Sequence, residues 1–262
     1  MSATPRIHPT AIVDAGAELH ESVEVGPYSV IGPKVQVGEG SWIGPHVVLR
    51  GPLSIGKRNR IYQFASLGEI SQDITAKADE PTRVEIGDDN TIREYVTIQR
   101  GTMKEKGLTR VGNSNWIMNY VHIGHDCTVG DHNIFTNNTA LAGHITVEDW
   151  VGCGGYTLVH QFCRLGSYCF TGGGTVLRRD VPPFVIVQGD PGEPRGVNTE
   201  GLRRRGFTAE EIADIKEAYK LIFMSGIVMS EVKVQLAEMG KRSPHCKRLL
   251  DFIESSKRAL QR

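Results

Sequence analysis

The sequence predicts a mainly β fold: a parallel β-helix of hexapeptide repeats, closed by a small C-terminal α-helical domain. Three observations carry this expectation. From Ile117 to Leu177 every sixth residue is apolar apart from Thr171, through Ile123, Val129, Phe135, Leu141, Val147, Cys153, Val159 and Leu165, with nothing inserted. The same beat opens the chain, from Ile7 through Val25 and Ile43 to Leu67. A small or β-branched residue usually stands four places later, as at Ser29, Ala65, Cys127 and Thr139, and glycine often follows the apolar residue directly, as at Gly44, Gly124 and Gly166. A period of six fits neither the helical nor the alternating-strand template and marks a hexapeptide repeat.

Taken in order, residues 1–6 read as a short tail, and the beat runs from Ile7 to Leu67. A polar segment of about 70–83 breaks it, Ile86, Ile92 and Ile98 resume it, and a second break spans about 101–109. Insertions in a solenoid emerge as loops on one face, often the binding face, so both are candidate site loops. Pro182 and Pro183 should end the coils, since proline cannot donate to a ladder. The division expected is a β-helix over 1–190 and a helical domain over 191–262. Within the latter, Thr208 and Glu211 form a capping-box pattern. Ile212, Ile215, Ala218, Tyr219, Ile222 and Phe223 recur at helical spacing. Val232, Leu236 and Met239 suggest a second helix, and Leu249, Leu250, Phe252 and Ile253 a third.

Composition narrows the function classes. Formal net charge is +0, with thirty residues of each sign, which argues against an electrostatic nucleic-acid binder. No apolar run approaches the roughly 20 residues of a membrane span, and the N-terminus lacks a signal-peptide pattern. A cytoplasmic protein without stable membrane insertion is expected. The five cysteines form no CxxC pair and read as buried thiols in a reducing compartment.

Four histidines fall in the unbroken stretch: His122, His125, His144 and His160. Known hexapeptide-repeat proteins, which the pattern resembles, close a triangular coil every three hexads, so residue n lies beneath n+18. Gly143 then stands over His125, His144 over Asp126, and His160 over Ala142. The expectation is that His125, Gly143, His144 and His160 converge on one side of three coils, with His122 at the neighbouring corner. A neutral histidine suits a general base, Asp126 can orient it, and a bare Gly143 N–H suits an oxyanion donor. This fits acyl transfer from a thioester to a hydroxyl without a serine or cysteine nucleophile. Two other readings stay open at this point. Three histidines can hold catalytic zinc, as in the γ-class carbonic anhydrases, and a trimeric scaffold needs no chemistry at all.

The stretch HIGHDCTVGDHNIFTNNTALAGH (His122 to His144), with TLVHQFC, DVPPF, GVNTEGLRRRGF and YQFASLGE, resembles the bacterial UDP-N-acetylglucosamine O-acyltransferases over essentially the whole chain. The resemblance implies a homotrimer of left-handed β-helices with active sites between subunits. It implies transfer of an R-3-hydroxyacyl group from acyl carrier protein to the glucosamine 3-hydroxyl of UDP-N-acetylglucosamine, the first step of lipid A synthesis. No cofactor or metal is implied; 4'-phosphopantetheine arrives on the carrier protein. By motif, His125 is the base, Asp126 its partner and Gly143 the oxyanion donor. His122, His144, His160 and Gln161 contact substrate, together with Gln72 and Asp73 of the first loop. Asn198, Glu200, Arg204 and Arg205 take nucleotide and phosphate. Gly155 and Gly173 form an acyl-length ruler with room for a long chain. Arg164, Arg178 and Arg179 are candidate contacts for the acidic carrier protein.

The chain departs from the family pattern twice. The loop reads QDITAK where QDLKY is common, so Thr75 takes the place of a substrate-binding lysine and Lys77 is the candidate replacement. Gln99-Arg100-Gly101-Thr102 stands where HRGT is common. A 3-amino UDP-sugar acceptor stays open. So does the N-acyltransferase of the same pathway, which usually carries a separate domain ahead of its repeats.

Overall fold

The computed structural model describes residues 5–260. Its strands, most of them two residues long, stack into three sheets of eleven, nine and eight strands. These are the three faces of a left-handed parallel β-helix. In each short strand the second residue points to the axis, as Val129 and Leu141 do, while the first faces outward. The small residues four places on turn inward as well, so Ser29, Cys127 and Thr139 are buried beside the apolar column. Each hexad spends its remaining residues on a corner, and the corner residue adopts a left-handed conformation, with φ of 61° at Tyr120, 58° at Asp126 and 61° at His144. Such backbone is disfavoured for non-glycine residues; the apolar column, buried from Val25 onward, offsets it.

Registry follows the sequence period. Trp116 pairs with Ile134 and His122 with Ala140. Across the first loop the offset between paired residues widens to 31, as between Asn59 and Asn90, and across the second to 25, as between Thr97 and His122. The first loop leaves the second sheet after Ser66–Glu69 and rejoins the third at Arg83–Ile86. The second leaves after Thr97–Gln99 and rejoins at Leu108–Val111, so Leu108 and Thr109 belong to the strand rather than to the break. Both therefore emerge at one corner in successive coils. At another corner a buried asparagine column crosses both insertions. Asn59 Oδ1 accepts from Asn90 Nδ2 at 3.1 Å, and Asn90 Oδ1 from Asn115 Nδ2 at 3.0 Å. Asn115 Oδ1 in turn accepts the Asn133 N–H at 2.8 Å.

The prolines do not end the coils. Val185–Gln188 adds a parallel strand beside Phe170–Thr171. Pro182 and Pro183 occupy a corner that leads into Phe184 at φ 69°, where the ladder asks for no proline N–H. Glu193–Val197 then returns antiparallel and covers the last edge, so the division expected at 190/191 falls within this hairpin. Four helices follow: α1 (Thr199–Arg204), α2 (Ala209–Phe223), α3 (Met229–Gly240) and α4 (Pro244–Ser255). The Thr208–Glu211 capping box is present at α2. α1 was not foreseen. Leu202, Ile215, Ala218, Leu236, Leu249 and Phe252 form a second core that takes in Phe184, the ring that joins the helices to the coils. All five cysteines are buried free thiols, and burial pushes Cys127 and Cys153 up to about 12. Among the described residues, no helix is long and apolar enough to cross a membrane.

Candidate active site

His125 stands at the corner between the second and third sheets, in the coil above the two insertions. Adjacent side chains on a strand point apart. The left-handed turn at Asp126 relaxes this and brings His125 Nδ1 to 3.0 Å from Asp126 Oδ2. The Thr102 N–H reaches both carboxylate oxygens at 3.0 Å, and Thr102 Oγ1–H donates to Oδ2 at 2.7 Å. The Asp126 N–H donates to Thr109 Oγ1 at 2.9 Å. Thr102 donates to both carboxylate oxygens, so the carboxylate meets His125 as an acceptor. Nδ1 of His125 must then carry the proton, which leaves the Nε2 lone pair free.

Gly143 lies directly above. A Cβ there would sit 2.4 Å from His125 Cε1 and 2.5 Å from Nε2, so only glycine leaves room for the ring. Among the described residues the Gly143 N–H has no hydrogen-bond acceptor. The ring borders a groove of about 720 Å³ along the second sheet. Its floor is Ala140, Ala142, Leu158 and Val176. His122, His160, Gln161 and Arg178 line it too, with Gln72, Asp73 and Ile74 of the first loop and Gln99 of the second sheet. His122 Nδ1 lies 2.8 Å from Thr97 Oγ1, and burial, helped by the nearby His125, lowers its pKa. The apolar floor was missed from the sequence. Its signal was available in the column His122–Ala140–Leu158–Val176, each paired with the next.

Two expected site residues stand apart from the groove of this protomer. His144 does not converge on the groove. It occupies the left-handed corner position above Asp126 and turns to the third face, beside Glu105, Arg110 and Phe162. Its ring stacks on Phe162 at 4.5 Å and meets the His125 ring edge-on at 4.8 Å, and its Nδ1 lies 3.2 Å from Glu105 Oε2. His144 thus backs the His125 ring. Lys77 is likewise absent from the groove lining. Thr75 folds back onto Asp73 through its N–H and hydroxyl, and the lysine that meets Asp73 is Lys104, at 2.5 Å. That hydrogen bond holds the Asp73 carboxyl well below the usual range.

Other expected residues lie elsewhere on the protomer. Asn198 caps α1, accepting the Gly201 N–H, and its Nδ2 donates to the Tyr168 carbonyl. Glu200 pairs with Arg204 at 3.0 Å, and the Arg205 guanidinium lies over Trp150. Gly155 and Gly173 lie outside the groove lining, at the opposite edge of the second sheet. A Cβ at Gly173 would meet only the Gly155 carbonyl, at 3.6 Å, so neither close packing nor a left-handed φ requires glycine there. Arg164 is committed to Glu148 and Phe252. Arg178 reaches Asp190 at 2.8 Å, and Arg179 is exposed.

One ligand atom each from His125, Asp126 and His144 lies within 4.8 Å of the others, the only such group among the described residues. It holds two histidines rather than three, and both Asp126 oxygens already accept hydrogen bonds. The donor set suits orientation of a base better than a three-histidine zinc centre.

A parallel β-helix carrying a histidine–carboxylate pair against a bare amide defines a hexapeptide-repeat transferase. The model of the bacterial transferase hexapeptide (six repeats) matches residues 108–143, and that of UDP-N-acetylglucosamine O-acyltransferase, domain 2, matches 180–261. The chain is 50% identical over 256 residues to the acyl-[acyl-carrier-protein]–UDP-N-acetylglucosamine O-acyltransferase of Thiobacillus denitrificans, covering 98% of this chain and 99% of that one. It is 52% identical over 260 residues to that of Herminiimonas arsenicoxydans, with the same coverage. The crystal structure of the Francisella novicida UDP-N-acetylglucosamine acyltransferase superposes with a TM-score of 0.96 at 42% identity, covering 98% of this chain and 94% of that one. The Moraxella catarrhalis O-acyltransferase gives 0.95 at 43%, covering 98% and 99%. The chain belongs to the UDP-N-acetylglucosamine O-acyltransferase family and is an acyltransferase.

Proposed function

We propose that the protein moves an R-3-hydroxyacyl chain from acyl carrier protein to the glucosamine 3-hydroxyl of UDP-N-acetylglucosamine, in the cytoplasm. The observation that carries the mechanism is the His125–Asp126 pair set against the Gly143 N–H. His125 Nε2 takes the hydroxyl proton as the acceptor oxygen attacks the thioester carbonyl. The Gly143 N–H stabilises the oxyanion. The tetrahedral intermediate collapses, the C–S bond breaks, and the imidazolium returns its proton to the phosphopantetheine thiolate. Charge on the imidazolium is balanced by Asp126. No cofactor or metal takes part.

The family names support the substrates. A homotrimer is supported by the outward apolar residues Trp116, Ile134 and Phe170 on the first sheet and by the fully exposed Ile74 at the first loop. In such a trimer Asn198, Glu200, Arg204 and Arg205, away from the groove of their own protomer, would serve a partner's groove. Gly155 and Gly173 are glycines without a folding reason, which supports their role as a space left for the acyl chain. Gly173→Met should shorten the preferred acyl group, and unchanged chain selectivity would remove the ruler. The test of the whole reading is an assay of UDP-N-acetylglucosamine with a panel of R-3-hydroxyacyl carrier proteins, beside His125→Ala. A loss of about 10³-fold or more in kcat/KM is expected from that variant; activity that survives it removes the base.

A further inference from the structure

The second loop does more than lengthen a coil. Its first turn delivers Thr102, 2% exposed, onto the carboxylate behind His125. Three of the four hydrogen bonds that Asp126 accepts come from this one residue. Thr102 is itself anchored: its carbonyl accepts the N–H groups of Glu105 at 3.3 Å and Gly107 at 3.1 Å, which rolls the loop into a compact turn. Gly101 makes the approach possible, because a Cβ there would lie 2.1 Å from the Leu108 nitrogen and 2.7 Å from Asp126 Oδ1. Where the loop rejoins the coil, Thr109 Oγ1 accepts the Asp126 N–H and ties down the left-handed backbone. Glu105, between them, stands at the His144 ring that backs His125. One corner is thus gripped from two points of a single insertion and from the strand it re-enters.

We propose that Thr102 is a positioning residue for the base, and that the loop it opens is a clamp that fixes the proton of His125 on Nδ1. The chemistry requires such a device. Asp126 must accept from Nδ1 in the resting state and balance the imidazolium as the acceptor proton arrives. A carboxylate free to rotate, or to take up a proton, would let the ring turn or change tautomer. Donors from Thr102 engage both oxygens and hold the carboxylate with Oδ2 facing Nδ1. Thr102 is buried and does not line the groove, so its removal should slow the chemical step while substrate binding stays.

This inference rests on the reading of His125 as the base, so the experiment separates the two. Thr102→Ala, Thr102→Ser and His125→Ala are assayed side by side with the carrier-protein substrate, across pH. Thr102→Ala should lose roughly 10- to 30-fold in kcat with KM for both substrates unchanged within about twofold. Thr102→Ser, which restores the hydroxyl, should recover most of kcat. Proton NMR should show a hydrogen-bonded His125 Nδ1–H in the native protein and in Thr102→Ser. Full activity in Thr102→Ala, or a loss confined to KM, overturns the clamp while leaving the base intact if His125→Ala is dead. If Thr102→Ala does not fold, native-like kcat and pH profile in Thr109→Val together with an absent Nδ1–H resonance in the native protein overturn it equally.

Discussion

The unbroken coils from Ile117 to Leu177 and the interrupted coils before them contribute differently to one site. In the unbroken part, backbone registry does the placing: His125 comes beneath Gly143, and Ala140, Leu158 and Val176 line up into a floor. In the interrupted part, side chains reach out of register: Asp73 and Ile74 to the groove, Thr102 to Asp126. A repeat can stack reactive groups but cannot enclose them. Enclosure here comes from the two places where the repeat is broken, both at the corner that carries the histidine.

If this division holds, substitutions in the two regions fail in different ways. Leu141→Ala in the unbroken core should cost about 2–5 kcal/mol of stability, because the interior has little freedom to collapse; urea unfolding measures it, and a cost near zero would mean that the coils are not the frame. Gly143→Ala should leave the fold in place and lower kcat by about 10²-fold, since its methyl displaces the ring and crowds the oxyanion donor; a crystal structure of the variant with an undisturbed His125 ring and normal kcat would break the link between registry and chemistry. His122, with its pKa lowered by burial, gives a smaller and signed effect. As pH falls below about 6.5 the unfolded chain takes up this proton first. The stability contributed by neutral His122 is therefore full above that pH and is lost as pH falls through its lowered value. The stability of the native protein relative to His122→Asn should decline between pH 7 and 5, and a flat difference would count against it. Least of all should come from Ile74→Ser, at a fully exposed side chain, which should change stability by no more than about 0.5 kcal/mol while raising KM for at least one substrate.

The coils were legible because each hexad repeats one local problem: an inward apolar residue, an inward small one and a corner. Registry followed from the period, and with it the meeting of His125 and Gly143. Which way a corner residue turns was not legible. His144 and Asp126 share a corner column and the same left-handed backbone, yet the His144 ring turns to the third face and stacks on Phe162 while the Asp126 carboxylate comes back to its neighbour. Loop paths were hidden for a similar reason. Nothing periodic constrains residues 70–83, so the pairing of Lys104 rather than Lys77 with Asp73 arises from contacts between two loops. Thr102 was visible as a letter in a motif, yet its grip on Asp126 depends on where the second loop re-enters. Pro182 and Pro183 misled because a corner, unlike a strand, has no use for their missing donors.

The buried asparagines, running from Asn59 to Asn133 past both insertions, keep the stacking pitch independent of what is added at the opposite corner. Residues can therefore be gained or lost there over evolution without the rod being refolded around them. Such a molecule can retune the ligand it encloses by lengthening or trimming a hem, while the seam that carries the reaction stays where it was.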